Sequence, residues 1–409
     1  MSNTPSETTP DAPMAEHLNR PHIRNFQPLG MEKDGKSFVM LRDPSMLAEQ
    51  QMAVLPQVLQ LILMFQGRET LDEIAAKTQA PLHILRDVVT RLDEVGLIWG
   101  PRFEELERVA KAKITEHGHF PISCSASLGQ DAQTCHEAMD KWLSDMEDPE
   151  IEGKILGLVA PHLDYQRGWP GYAAAYRALK KDEKPNRVII LGTNHFGIGD
   201  GVVVSEYGFA TPIGKASADK SMLAFLEKTL GSKRIYADQI DHLGEHSVQM
   251  HIPWIQHFYG DVPILAALIP NPLVPLVADD DARATTEQFV DAVRTALAEL
   301  GGRTLLIASS DLSHVGQQFG DPGTINDESA NQVEKIDRER LAAYCKKDIA
   351  GFEGLFIKDQ NRTRWCSVGN MLAAQNILRP ANVDLIDYQQ VRDPNGMSMV
   401  SSAAIAFSE

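Results

Sequence analysis

From residue 154 to the carboxyl terminus, apolar runs of strand length alternate with stretches whose apolar positions recur at helical spacing. The strand-like runs fall at 154–162, 187–195, 201–205, 262–269, 303–309, 383–391 and 399–407. Helical patterns lie between them at 171–181, 217–230, 247–259 and 285–300. Short buried strands alternating with amphipathic helices predict an α/β fold, a three-layer domain with helices covering a central mixed sheet. No internal repeat interrupts this order.

The first hundred residues follow another pattern. Residues 37–41 read as a short strand and 44–65 as a helix that Gly67 ends. Thr70, with Glu73 three residues on, forms a capping box that opens the helix LDEIAAKT. After Pro81, the stretch LHILRDVVTRLDEVG places Leu82, Leu85, Val88, Val89, Leu92 and Val95 on one face. Gly96 closes it, and 97–103 suggests another short strand. Three helices followed by a β wing resemble a winged-helix domain, close to the PqqD-like domains that bind leader peptides. The resemblance implies that residues 35–103 are a small module that docks a peptide or a partner protein. Its third helix sets Arg86 and Arg91 against Asp87, Asp93 and Glu94, so it offers no basic face to nucleic acid. Residues 1–34 read as disordered or extended, and 104–153 as a charged connecting helix and linker before the domain at 154–409.

Composition narrows the function classes. The net charge of -17 argues against nucleic acid as a main partner, because phosphate binding needs a basic surface. No stretch is apolar for long enough to span a membrane, and the amino terminus lacks the apolar core of a signal peptide. These features predict a cytoplasmic protein. Its four cysteines, Cys124, Cys135, Cys345 and Cys366, form no C-x-x-C pair and are expected to be unbridged.

The chemistry gathers at the ends of the apolar runs. KILGLVAPH ends at His162, RVIILGTNH at His195, and RTLLIASSDLSH carries Asp311 and His314. In open α/β sheets, reacting groups collect at the carboxyl ends of strands, where the loops converge. Imidazoles and a carboxylate delivered there suit a metal or an acid–base site. If SSDLSH turns helical, Asp311 and His314 face the same way, and the carboxylate can orient the imidazole. The GIGDG segment lacks the spacing of a phosphate loop and reads as an ordinary loop. In GEHSVQMHIPWI, Glu245 and His246 precede a helix that points at the same edge, whereas His242, His251 and His257 read as structural.

Five ordered segments, APHLDY, GTNHFG, DHLGEHSVQMHIPW, IASSDLSHVGQQF and RWCSVGN, resemble the Memo family across residues 154–409. Memo proteins are similar in fold to the class III, LigB-type extradiol dioxygenases, which use non-haem iron(II). The resemblance implies a metal site of His162, His195 and Cys366, with His314 and Asp311 as the acid–base pair. Glu245, His246, Asp164 and Tyr165 are implied to line the substrate pocket. Cys366 stands where the dioxygenases have a glutamate, which opens the site to copper or zinc as well as iron(II). Leu163 stands where the family has a small residue. An AMMECR-type protein and a radical SAM protein are the partners implied. The expected activity is a metal-dependent redox reaction, that of a non-haem iron oxygenase or oxidase on a small aromatic or heterocyclic substrate. A non-catalytic peptide-binding or metal-binding protein and a zinc-dependent hydrolase are the alternatives.

Overall fold

The computed structural model describes residues 14–48, 50–197, 201–273 and 281–409. Most of the GIGDG loop and the first 13 residues lie outside these. The chain divides into two compact units, Met1–Lys113 and Ile114–Glu409.

The first unit opens on an antiparallel sheet of β1 (Gln27–Lys33), β2 (Lys36–Arg42) and β3 (Met52–Val54), in that order. Asp34 and Gly35 join β1 to β2, both at positive φ (52° and 68°), as the tightest hairpin turns require. Helices Pro56–Ile62, Leu71–Thr78 and Leu82–Glu94 follow, and Leu41, Ile62, Phe65, Ile74, Leu85, Val89 and Leu92 are buried in their core. The capping box of Thr70 and Glu73 is formed in full. Two elements here differ from those the sequence predicts. The helix expected over 44–65 shrinks to Pro56–Ile62, because 52–54 pairs with β2 and Pro56 seats at the first turn, where its missing N–H costs nothing. The wing expected at 97–103 is absent. Ile98 makes a single bridge to Ile23, and a helix starts at Pro101. The hairpin therefore precedes the three helices, and its first strand, with a short helix at Glu16–Asn19, falls inside the stretch read as disordered or extended.

The second unit begins within the stretch read as linker. It holds β4 (His119–Phe120) and the helix Ala132–Ser144, which has its own capping box at Asp131. Its main strands are β5 (Ile155–Ala160), β6 (Arg187–Thr193) and β7 (Val203–Val204). A small side sheet joins β4 to β8 (Gly208–Ala210) and β9 (Lys215–Ala216). The main sheet continues with β10 (Ile264–Ile269), β11 (Thr304–Ser309), β12 (Asp311–Val315), β13 (Asn382–Arg392) and β14 (Met399–Ser408). Its order is β12-β14-β5-β11-β6-β10-β7, with β13 along the other side of β14. The strands β5, β11, β6 and β10 are parallel and apolar through their middles, as strands covered on both faces must be. Alternation assigns their side chains to two layers. Ile189 and Leu191 share a core with helices Thr286–Leu300 and Val368–Leu378. A Cβ at Gly192 would instead meet Ser247 and Val248 on the opposite face. This is the expected α/β architecture with a central mixed sheet. Among the described residues, no helix is long and apolar enough to cross a membrane.

Candidate metal centre

Three neighbouring parallel strands deliver the site. The order β5-β11-β6 sets their carboxyl ends side by side, about 4.8 Å apart. His162 stands two residues past the end of β5 and His195 two past the end of β6, while Ser309 ends β11 and Asp311 begins β12. Cys366 comes from a different direction. It lies in the turn just before the helix Val368–Leu378, which packs over β11 and β6. The ligand atoms of His162, His195 and Cys366 all lie within 4.8 Å of one another.

Each imidazole is fixed from behind. Nδ1 of His162 lies 2.9 Å from the Ser309 hydroxyl, which leaves Nε2 facing the Cys366 sulfur at 3.3 Å. Nδ1 of His195 lies 3.0 Å from Glu245, and its backbone N–H donates to the same carboxylate at 2.9 Å. The two rings meet edge to face at 5.1 Å. A shared ion at 2.0–2.3 Å from a nitrogen and a sulfur holds them about 3.5 Å apart in tetrahedral geometry, close to the separation found here. The donor set of two imidazoles and a thiol therefore fits a transition metal, and the hydrogen bonds behind the rings are those that orient metal-ligating histidines.

The electrostatics agree. Burial disfavours charge on His195, but Glu245 and Cys366 outweigh it and raise its pKa well above the usual value. Burial likewise opposes the Glu245 carboxylate, yet His195 holds it below the usual range. The pocket thus favours a proton on His195, beside Glu245 and Cys366. Burial and the neighbouring imidazoles keep His162 neutral, as a ligand must be. Burial pushes the Cys366 thiol up, with His195 opposing it.

Other residues singled out from the sequence fall differently. Asp311 does not orient His314. It accepts the His162 backbone N–H at 3.0 Å and lies 3.8 Å from Nε2 of that ring, and burial pushes it up to about 7. The ring of His314 is held instead by the carbonyls of Leu312 (3.0 Å) and Arg364 (3.2 Å) at Nδ1. The segment is not helical but strand β12, with a bulge between Asp311 and His314. Leu312 and Ser313 there oppose the single Ser401 on β14, so the bulge restores Asp311 and His314 to one face of the sheet. Burial lowers the His314 pKa to about 4, helped by the charges of His195 and His246. His246 does border the centre, stacked on His195 at 4.8 Å and edge-on to His162 at 5.3 Å.

Glu245 has no free edge for a substrate, because His195 and the Ser247 N–H occupy its buried carboxylate. Asp164 caps the helix Tyr165–Tyr176 and pairs with Arg167. Tyr165 is buried with its hydroxyl on the Met250 carbonyl at 2.5 Å. Both sit where the chain turns into a helix directly after Leu163. His251 is buried and bonded to Tyr176, and His242 is buried and bonded to the Val203 carbonyl. Ser309 and Asn370 were not legible from sequence. Asn370 spans Thr193 at 2.8 Å and the Ser309 carbonyl at 2.7 Å, tying the ends of β6 and β11 together. The only hint was the Ser309 position at a strand terminus.

The sequence profile of the family described as Memo-like protein matches residues 126–406. A MEMO1 family protein of Pyrobaculum aerophilum is 30% identical over 266 residues, covering 64% of this chain and 86% of that protein. One from Methanothermobacter thermautotrophicus is 30% identical over 247 residues, 59% of this chain and 80% of its own length. A MEMO1 family protein of Aquifex aeolicus is 26% identical over 403 residues, 95% of this chain and the whole of that protein, so its match includes the first unit.

Proposed function

The chain belongs to the Memo-like protein family, and from that premise we propose that its second unit is a metal-dependent redox enzyme of the non-haem iron oxygenase or oxidase kind. Its substrate would be a small aromatic or heterocyclic compound. The convergence of His162 Nε2, His195 Nε2 and Cys366 Sγ carries this reading. A metal held by three protein donors supplies open positions for oxygen and substrate. The protein residues do the rest. Ser309 and Glu245 aim the two imidazoles. His314, neutral at pH 7 with its Nδ1 proton held by two carbonyls, offers Nε2 as a proton acceptor. Asp311, pushed up to about 7, can hold or release a proton beside His162.

The thiol supports a second reading. A thiolate is a softer donor than a carboxylate and suits zinc or copper(I), which would make the centre a zinc hydrolase or a metal-binding site without turnover. Protein purified without oxygen distinguishes these. Stoichiometric iron with oxygen uptake on phenolic or heterocyclic probes supports the oxygenase. Stoichiometric zinc with ester hydrolysis supports the hydrolase. Failure to bind iron(II) on reconstitution would overturn the leading reading.

The first unit is proposed to dock a peptide or a partner protein, with an AMMECR-type or radical SAM protein as candidates. Its helix Leu82–Glu94 spends Arg91 on an ion pair with Asp87 at 3.1 Å, and Leu29, Leu55, Leu63 and Ile84 stand exposed on the unit.

A further inference from the structure

Behind the centre lies a second polar cluster that holds no candidate ligand. Asp337 is fully buried on the helix Asp327–Cys345. Its Oδ1 accepts from the Ser313 hydroxyl at 2.6 Å and the Trp365 indole N–H at 2.8 Å. Its Oδ2 accepts from the Tyr388 hydroxyl at 2.8 Å and the Ser401 hydroxyl at 2.5 Å. One helical turn on, the buried Arg340 donates to Thr363 Oγ1 at 2.8 Å and to Asp359 at 2.7 and 2.9 Å. Its guanidinium lies 4.1 Å from the centre of the Phe356 ring and 5.4 Å from that of Trp365. Residues three apart on a helix share a face, so both reach the same short segment, 361–366.

That segment has two ends of consequence. Trp365 immediately precedes Cys366. The Thr363 carbonyl accepts the His314 N–H at 2.7 Å, and Arg364 Nε donates to the His314 carbonyl at 3.0 Å. Burying a carboxylate is costly, and well-packed apolar groups would serve stability as well or better. Four donors from β12, β13, β14 and the 361–366 segment converging on one carboxylate therefore call for a positional reason.

We propose that Asp337 and Arg340 are positioning residues. They lock 361–366 onto the helix and thereby seat Cys366 against His162 and His195 while fixing the backbone of His314. The purpose of the lock rests on the metal-centre reading; the lock itself does not.

Hydrogen exchange read by mass spectrometry on the full chain tests the lock without metal. Asp337→Ala should speed exchange in the 361–367 peptide about tenfold or more while the β6 peptide stays within about twofold, since local opening spares the central strands. Asp337→Asn should restore protection, because its amide oxygen can accept from Trp365 and Ser313 while its NH2 donates to the hydroxyls of Tyr388 and Ser401. Should Asp337→Ala not fold, Trp365→Phe decides, since it removes one donor and keeps an aromatic ring. Unchanged exchange at 361–367, or equal acceleration in β6, overturns the proposal. Cobalt(II) titration then reads the purpose through the thiolate-to-cobalt absorption. Wild type should show the band, and Asp337→Ala should bind about tenfold more weakly or lose it. An unaltered band and affinity in Asp337→Ala would sink the link to Cys366. A wild-type protein without the band would fail the metal reading, while the exchange result still decides the lock.

Discussion

The hydroxyl of Ser309 lies 2.9 Å from Nδ1 of His162 and thereby turns the opposite nitrogen toward Cys366. The bond joins the end of β11 to the residue that leaves β5, so the register of two adjacent strands sets the orientation of one imidazole. Ser309→Ala should preserve the fold and weaken metal binding about 10–100-fold, the usual cost of losing an orienting partner. Metal competition titration against a chromophoric chelator measures this, and an unchanged affinity would remove Ser309 from the site.

His314 and Asp311 should now separate. His314→Ala is expected to leave metal content near that of wild type and to lower turnover about 10²–10⁴-fold, as loss of a positioned proton acceptor does. Asp311→Asn should act on the metal side, because Asp311 holds the backbone of His162 and not the ring of His314. Parallel metal stoichiometry and oxygen-uptake rates decide the matter. Loss of metal in His314→Ala would make His314 a ligand.

Cys366 should determine which metal binds. Cys366→Ala is expected to empty the centre, because among the described residues no other thiol belongs to the cluster. Cys366→Asp changes the donors to two imidazoles and a carboxylate, the set of non-haem iron oxygenases, and should shift preference from zinc and copper toward iron(II). Competition between zinc and iron(II) under anaerobic conditions reads the shift. Equal preference in both proteins would contradict this.

Acid should destabilise the second unit through its buried histidines. Burial lowers His242 to about 4 and His251 to about 3, below the unfolded value near 6.5. The unfolded chain therefore takes up these protons first. The contribution is fully present above about pH 6.5 and is lost as pH falls toward the folded values. Each group should remove roughly 2 kcal/mol by pH 5, at about 1.4 kcal/mol per pH unit. Urea midpoints at pH 7 and pH 5 should differ accordingly, and His242→Gln with His251→Gln should flatten the dependence. An unchanged slope in the double variant would show that other groups carry it.

The larger fold was legible because its signals are local. Runs such as RVIILGT have no polar face and can only be strands covered on both sides, and their carboxyl ends mark where chemistry gathers in such a sheet. That logic, applied to His162 and His195, needed only the residues themselves, and the motif around Cys366 supplied the third donor by resemblance. The first unit was harder, since the helix pattern over 44–65 does not reveal that 52–54 pairs with a distant strand. Local pattern cannot choose between a helix and a strand when the partner lies elsewhere in the chain.

What tertiary structure decided is which groups face each other. Spacing alone set Asp311 beside His314, yet in the folded chain Asp311 accepts the His162 backbone N–H and His314 rests on two carbonyls. Asp164 and Tyr165 follow His162 closely in sequence, yet one caps a helix through Arg167 and the other sends its hydroxyl to the Met250 carbonyl. Glu245, 50 residues from His195, becomes its closest support. The sequence by itself determined the main parallel strands of the second unit and the residues at their carboxyl ends, because periodicity and residue type are written into each segment. The partners of those residues were set by strand order, register and one bulge, which arise only when distant segments pack together.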